Sequence, residues 1–149
     1  MNAVLDPAGL SFRHDPPNPI DFIRLRVECG WGQIEASAAQ EALSSSLIHI
    51  TCYFKDELVG MGRVIGDGAL NFYLQDIIVR PAFQGHCIGK TLVSMLLDET
   101  KKRAGKGATI GLMSARGKEN FYSDFGFQVR PSGKIRFWND YFCFLTLLC

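Results

Sequence analysis

The 149-residue chain has no surplus of charge: 16 Lys and Arg stand against 15 Asp and Glu, a net +1. Proteins that work by gripping nucleic acid through its phosphates concentrate cations, so nucleic acid is not an expected partner. Long apolar runs are missing too. The longest, Tyr141–Cys149, falls well short of the ~20 residues that span a bilayer; it reads as a buried strand, and no membrane partner is expected. No cationic stretch runs into an apolar one near Met1, so no secretory leader is expected, and the cytoplasm is the expected compartment. Histidines number three, and none of the five cysteines (Cys29, Cys52, Cys87, Cys143 and Cys149) makes a C-x-x-C pair. Ligands so few and so scattered suggest no metal site, and the thiols read as free groups rather than disulfides. No repeat, linker or low-complexity segment interrupts the chain. Residues 1–149 are therefore expected to form a single domain.

Hydrophobic residues make up 47% and charged residues 21% of the chain, enough for a packed core. Leu10–His14 alternates apolar and polar as a strand does. Asp15-Pro16-Pro17-Asn18-Pro19 then breaks the chain, since prolines at this density exclude regular structure. Ile20, Phe22, Ile23, Leu25 and Val27 form a helical stripe that stops at Gly30-Trp31-Gly32, and a second helix runs from Ile34 to Leu43. Strands follow at Leu47–Phe54, Leu58–Ile65 and Leu70–Val79, with a hairpin signal at Gly66-Asp67-Gly68. Gly89–Arg103 carries Leu92, Val93 and Leu96 on one face, and Lys101-Lys102-Arg103 in its last turn, where cations suit a helix C-terminus. A strand at Thr109–Met113, a short helix at Lys118–Phe125 and two tail strands complete the order β-α-α-β-β-β-α-β-α-β-β. Three hairpin-type strands and one strand–helix–strand crossover make a mixed α/β sheet.

Two segments carry chemistry. In Ile77-Ile78-Val79-Arg80-Pro81-Ala82-Phe83-Gln84-Gly85-His86-Cys87-Ile88-Gly89-Lys90, an apolar strand runs into a loop with small residues that opens a helix. Free backbone N–H groups and the positive end of the helix dipole then point at one spot, which suits a phosphate. The G-K-[ST] half of a Walker loop is missing, and no acidic residue ends a following strand as in a dinucleotide fingerprint. Alone, such a loop is also an ordinary glycine-rich helix start. The second segment, Asn120-Phe121-Tyr122-Ser123-Asp124-Phe125-Gly126-Phe127, is a short aromatic helix turning into a strand. By itself it reads equally as a packing cluster with Gly126 as helix cap.

In this order and context the two segments resemble the GNAT superfamily of N-acetyltransferases. That family's pyrophosphate loop reads Q/R-x-x-G-x-G/A, usually within a stretch like P-x-[YF]-Q-G-x-G-I-G, and its later signature resembles F-Y-x-x-[FL]-G-F. Here they stand as Pro81-Ala82-Phe83-Gln84-Gly85-His86-Cys87-Ile88-Gly89 and Phe121-Tyr122-Ser123-Asp124-Phe125-Gly126-Phe127. The element order extends the resemblance over almost the whole chain. It implies a centrally splayed sheet, acetyl-CoA as cosubstrate with no metal, and transfer to a primary amine on a small molecule or peptide by direct attack in a ternary complex. Amides of Gln84, Gly85, His86, Cys87, Ile88, Gly89 and Lys90 would bind the pyrophosphate of CoA. Main-chain groups of the Ile77-Ile78-Val79 stretch would pair with the pantetheine arm and polarise the acetyl carbonyl. Tyr122 matches the residue that usually protonates the departing thiolate.

The chemistry makes these roles reasonable. Attack on a thioester builds negative charge on the carbonyl oxygen, which fixed N–H donors stabilise. A lysine-like amine, with a pKa of ~10.4, is almost wholly protonated at neutral pH, so a proton must leave first. Asp76, just before the strand's end, is a candidate base acting through water, and equally a solvated or turn-stabilising carboxylate. The acceptor site would draw on the junction of the first two helices and the central strands, with Trp31, Asn71 and Tyr73 as candidates. Trp31, between two glycines, reads as a mobile pocket lip or an ordinary packing residue. The apolar C-terminal strand could pair across a homodimer.

Two residues depart from the family pattern. Cys87 replaces the central glycine of the loop; it is expected in an ordinary helical conformation, facing the sheet or the side of the cleft, where glycine would cost helix stability. Ala115 stands where many members carry an asparagine that helps hold the cofactor, and Asn120 is the candidate to compensate. A non-catalytic acyl-CoA-binding module and an interaction domain on the same fold are the rival readings. Tyr122 speaks for chemistry, because a pure binder needs no proton donor there.

Overall fold

The computed structural model describes residues 7–115, 117–129 and 142–148. The elements run β1 (Leu10–Arg13), α1 (Pro19–Glu28), α2 (Ala36–Ser44), β2 (Ile48–Phe54), β3 (Glu57–Gly66), β4 (Asn71–Val79), α3 (Ile88–Arg103), β5 (Thr109–Ala115), α4 (Glu119–Ser123), β6 (Gln128–Val129) and β7 (Phe142–Leu148). This is the order expected from the sequence. The strands form one mixed sheet, β1-β2-β3-β4-β5-β7-β6. Every neighbouring pair is antiparallel except β4 and β5. That parallel pair needs a crossover, and α3 supplies it.

Two apolar clusters cover the two faces of the sheet. On one, Ile88, Leu92, Val93, Leu96 and Leu97 of α3 pack on Ile50, Val64, Phe72, Leu74, Ile110 and Leu112. On the other, Phe22 and Leu25 of α1 and Ala39 and Leu43 of α2 pack on Leu58, Met61 and Ile78. Two glycines of β3 let α3 lie close. A Cβ on Gly62 would stand 2.6 Å from Leu96 Cδ1, and one on Gly60 would stand 3.2 Å from Ile88 Cγ2.

Several local expectations are corrected. Pro19 does not break structure but opens α1, where its missing N–H costs nothing. Asn18 caps the helix by accepting from Ile20 N–H at 2.9 Å. At 100° per residue the apolar residues of α1 fall on two sides. Phe22 and Leu25 are buried, whereas Ile20 (64% exposed) and Val27 (48%) face outward. The second helix begins at Ala36, not Ile34. As for pairing across a dimer, β7 is bonded along its whole length to β5 and at Leu145 and Thr146 to β6. At Leu145 and Thr146 it is therefore interior to the sheet and offers no edge there. Tyr141 and Cys149, at its ends, lie outside the described residues. Among the described residues no helix is long and apolar enough to cross a membrane.

The sheet opens at its centre. β4 pairs with β5 only from Asn71 to Leu74. Beyond that point β5 stays with β7 through Ala115, and β4 stays with β3 through Val79. The divergence begins where β4 carries a bulge: the register against β3 shifts between Met61 and Arg63, and Asp76 sits at φ +49. A bulge bends its strand and turns later side chains to the opposite face. Phe72 and Leu74 accordingly face α3, yet after Asp76 it is Ile77 and Val79 that do, while Ile78 joins α1 and α2.

The close approach of α3 gives a direct test. Gly62→Ala is expected to destabilise the fold by about 1–3 kcal/mol through overpacking against Leu96. At roughly 2–4 °C per kcal/mol this is visible in a thermal melt. Gly105→Ala, with nothing within 4 Å of the added Cβ, should leave the melt almost unchanged.

Candidate active site

Three elements meet at the opened end of β4: its own C-terminal half, the loop into α3, and α4. The loop folds on itself through its side chains. Gln84 Nε2 donates to Val79 O at 2.9 Å, and His86 Nδ1 lies 2.9 Å from Gln84 O and 3.3 Å from Phe83 O. Gly85 takes φ +80 in open space. Cys87 is the N-cap of α3 at φ +60, ψ 7, with no side-chain cap bond. The first amides of α3 therefore lack the usual Ser, Thr, Asp or Asn partner. The first turn also contains no acidic residue and instead carries Lys90, a cation at the positive end of the dipole. A helix start with bare donors and a cation is built to receive an anion.

The Cys87 expectation is overturned. The residue is left-handed, not helical, because the chain must reverse there before α3 can begin, and that is the conformation a glycine adopts freely. Its side chain is exposed. The family's central glycine thus answers a backbone demand, which this chain meets with a strained cysteine.

The α4 segment lies against the start of α3: a Cβ on Gly89 would touch Phe121 Cζ at 3.5 Å, and Lys90 Nζ lies 3.5 Å from Asp124 Oδ2. Tyr122 packs edge-on to Phe121 (centroids 4.9 Å, 90°) and to Phe127 (6.1 Å, 79°). Burial pushes its phenol up to about 12, so it holds its proton throughout the neutral range. Asn120 is exposed, and its carbonyl accepts from Ser123 Oγ at 2.8 Å.

Along β4, Ile77 and Val79 pack toward α3 and Ile78 is buried on the other face. The Val79 carbonyl is not open to a cofactor, since it accepts from Gln84 and, at 3.5 Å, from Cys29 Sγ. Asp76 is not a solvated carboxylate but a buried, paired one. Its Oδ1 accepts from Arg26 Nη1 at 2.9 Å and its Oδ2 from Arg63 Nε at 2.7 Å, with the side chain 7% exposed.

The acceptor candidates separate. Asn71 belongs to the β3–β4 hairpin, where Asp67 Oδ1 accepts the backbone N–H of Ala69, Leu70 and Asn71 and Oδ2 accepts Asn71 Nδ2, all within 2.9 Å. These bonds, that of the Asn71 amide first, hold the Asp67 carboxyl well below the usual carboxylate range. Asn71 is therefore a turn residue at the far end of β4, about 13 Å from Gln75 by strand rise, outside the cleft. Tyr73 is half-buried opposite Ile65 and Gly111, just before the strands part. Trp31 is 46% exposed; its ring lies 5.6 Å from the Arg26 guanidinium, and its carbonyl accepts from Arg26 Nη2 at 3.5 Å. Sequence reasoning missed Arg26 and Arg63. The signal for Arg63 was a lone cation inside an otherwise apolar strand.

Residues 24–139 match the family described as Acetyltransferase (GNAT) domain. The chain belongs to this family. It is 31% identical to the uncharacterized N-acetyltransferase ycf52 of Pyropia yezoensis over 81% of its own length and 71% of that protein. Among solved structures, protein SA2161 of meticillin-resistant Staphylococcus aureus, described as a probable acetyltransferase, aligns with TM-score 0.81 at 29% identity. The alignment covers 89% of this chain and 99% of that one. The fold is shared with Naa50 of Arabidopsis thaliana, whose structure holds the bisubstrate analogue CoA-Ac-MVNAL, at TM-score 0.71, 19% identity, and 93% and 97% coverage. The fold class, the family and the assignment as an acetyltransferase expected from the sequence therefore stand.

For this GNAT acetyltransferase, the left-handed Cys87 reverses the expected sign of a substitution. Cys87→Gly should stabilise the protein by about 1 kcal/mol, the usual relief when glycine takes a left-handed position. CoA should then bind with unchanged or greater affinity. Gly85→Ala should cost about as much. Denaturant unfolding and calorimetric titration with CoA read both; destabilisation by Cys87→Gly would contradict the loop geometry.

Proposed function

We propose that the protein transfers the acetyl group of acetyl-CoA to a primary amine, on a small molecule or a peptide, by direct attack in a ternary complex. The observation that carries this reading is the juxtaposition of a parted β4 edge, the bare N-terminus of α3 with Lys90, and a half-buried, protonated Tyr122. Acetyl-CoA supplies the activated thioester. A compartment that provides it is required, and the cytoplasm meets that need.

Amides from Gly85 to Lys90 hold the pyrophosphate, with the Lys90 ammonium adding charge at the same point. The open edge of β4 around Ile77 and Ile78 receives the pantetheine arm. Backbone N–H groups at the bulge meet the thioester oxygen as negative charge gathers on it, where fixed donors contribute most. Asp76 being committed to two arginines, the amine gives its proton to water in the cleft.

Tyr122 then donates to the departing sulfur. A phenol near 12 is too weak an acid to protonate a fully solvated thiolate, whose pKa is ~8.5 if it resembles cysteine. It can do so for a thiolate buried beside it, because the desolvation that weakens the phenol strengthens the thiolate as a base.

Saturating acetyl-CoA is expected to raise the melting temperature. At one hundred times Kd, binding adds roughly 2.7 kcal/mol, about 5–10 °C for a chain of this size. An amine panel (spermidine, an aminoglycoside, phenethylamine, an N-terminally free peptide and a lysine peptide), followed by thiol release, should then identify the acceptor class. A melt indifferent to both acetyl-CoA and CoA would rule the reading out. Stabilisation with no amine turned over would favour a binding module. Tyr122→Phe, which keeps the ring packing, should lower kcat by about 10²-fold while leaving CoA affinity and the melt as they were. An unaltered kcat would move the proton donor elsewhere.

A further inference from the structure

Asp76 is singular on three counts. It is one of three non-glycine residues with positive φ among the described residues, it is buried, and it stands at the bulge where β4 leaves β5. Its carboxylate ties four elements together. Arg26 reaches it from α1, and Arg63 reaches it from β3. The same Arg63 donates through Nη1 to Ala42 O at 3.2 Å and Ser46 Oγ at 3.0 Å, at the C-terminal end of α2. Arg26 in turn lies against the Trp31 ring and donates to the Trp31 carbonyl, so the connection between α1 and α2 is joined to the same point. Gly30 and Gly32, on either side of Trp31, both take positive φ in that connection.

A left-handed residue inside a strand persists only where its surroundings over-determine it. Here the two guanidiniums do so. One fixes the turn to the neighbouring strand and the other fixes it to the helix above, so the direction of the backbone N–H groups that follow is set by both. We propose that Asp76, Arg26 and Arg63 are positioning residues that hold the β4 bulge in the geometry that polarises the thioester, and that Arg26 links this geometry to the Trp31 side of the acceptor entrance. The proposal rests on the acetyltransfer reading above. It assigns Asp76 a role carried by its ion pairs rather than by proton transfer.

Hydroxylamine separates the two roles. It is unprotonated near neutral pH and needs no base, and it attacks acetyl-CoA to give acetohydroxamic acid and the free CoA thiol. Thiol release from saturating acetyl-CoA with hydroxylamine, corrected for the protein-free reaction, therefore reads thioester polarisation and thiolate departure without the amine-deprotonation step. Asp76→Asn keeps the side-chain shape and a residue type that tolerates positive φ. Its rate should fall at least 10-fold, with CoA affinity by calorimetry within 3-fold of the parent, because the α3 loop is untouched. Arg26→Gln should show the same split between rate and affinity, and Arg26→Lys should recover part of the rate. If Asp76→Asn does not fold, Arg26→Gln decides on the same measurements. A parental hydroxylamine rate in folded Arg26→Gln, or in folded Asp76→Asn, overturns the positioning role. So does a rate loss matched by an equal loss of CoA affinity, which would mark a general structural defect. Absence of any acceleration by the parent protein overturns the acetyltransfer reading itself, and the proposal falls with it.

Discussion

Burying a carboxylate and forcing a non-glycine residue to positive φ are each costly, and in this protein both costs fall on Asp76. Two guanidinium pairings offset them, and much of the site follows. The bulge shifts the parity of β4, so that Ile77 and Val79, rather than Asp76 and Ile78, meet α3. Without the shift a carboxylate would lie in the apolar layer under α3, and Ile78 would leave the cluster formed by α1 and α2. The same bend carries β4 away from β5 and leaves backbone donors with no strand to satisfy them. An unsatisfied strand edge inside a sheet is unfavourable on its own.

The second constraint is the start of α3. Its amides are uncapped, and its first turn carries a lysine in place of the acidic residues that usually stabilise such a terminus. Both features are unfavourable in isolation and favourable once an anion arrives. Gln84 and His86 spend their side chains on loop carbonyls, which leaves the N–H groups for the ligand. Gly89, lacking a side chain, keeps α4 and Tyr122 close to this terminus. The start of α3 and the α4 segment are thus held together by one short helix contact.

Burial decides the character of Tyr122 and Trp31 in opposite ways. Tyr122 sits among Phe121, Phe125 and Phe127, and the apolar surroundings keep its proton in place. Trp31 remains open to solvent, resting on Arg26 at the mouth of the cleft.

The element order, the Gln84–Gly89 loop and the Phe121–Phe127 helix were legible in the sequence, because each depends on residues adjacent in the chain: turn formers, a periodic apolar stripe, small residues at a helix start. What those segments lack is any record of direction. Ile20 and Val27 are as apolar as Phe22 and Leu25, and only the seating of α1 on the sheet determined which pair was buried. Asn71 looked like a central-strand residue until the Asp67 turn claimed it. Cys87 showed a missing glycine but not the left-handed turn that makes the absence matter. The Asp76 pairings left the least trace, since Arg26 lies 50 residues away and Arg63 lies 13. Local pattern determined which residues form strands, helices and the glycine-containing loop before α3. The tertiary structure alone decided which partners Asp76 has, because the charges that reach a carboxylate are set in space, and in this fold two arginines reach it.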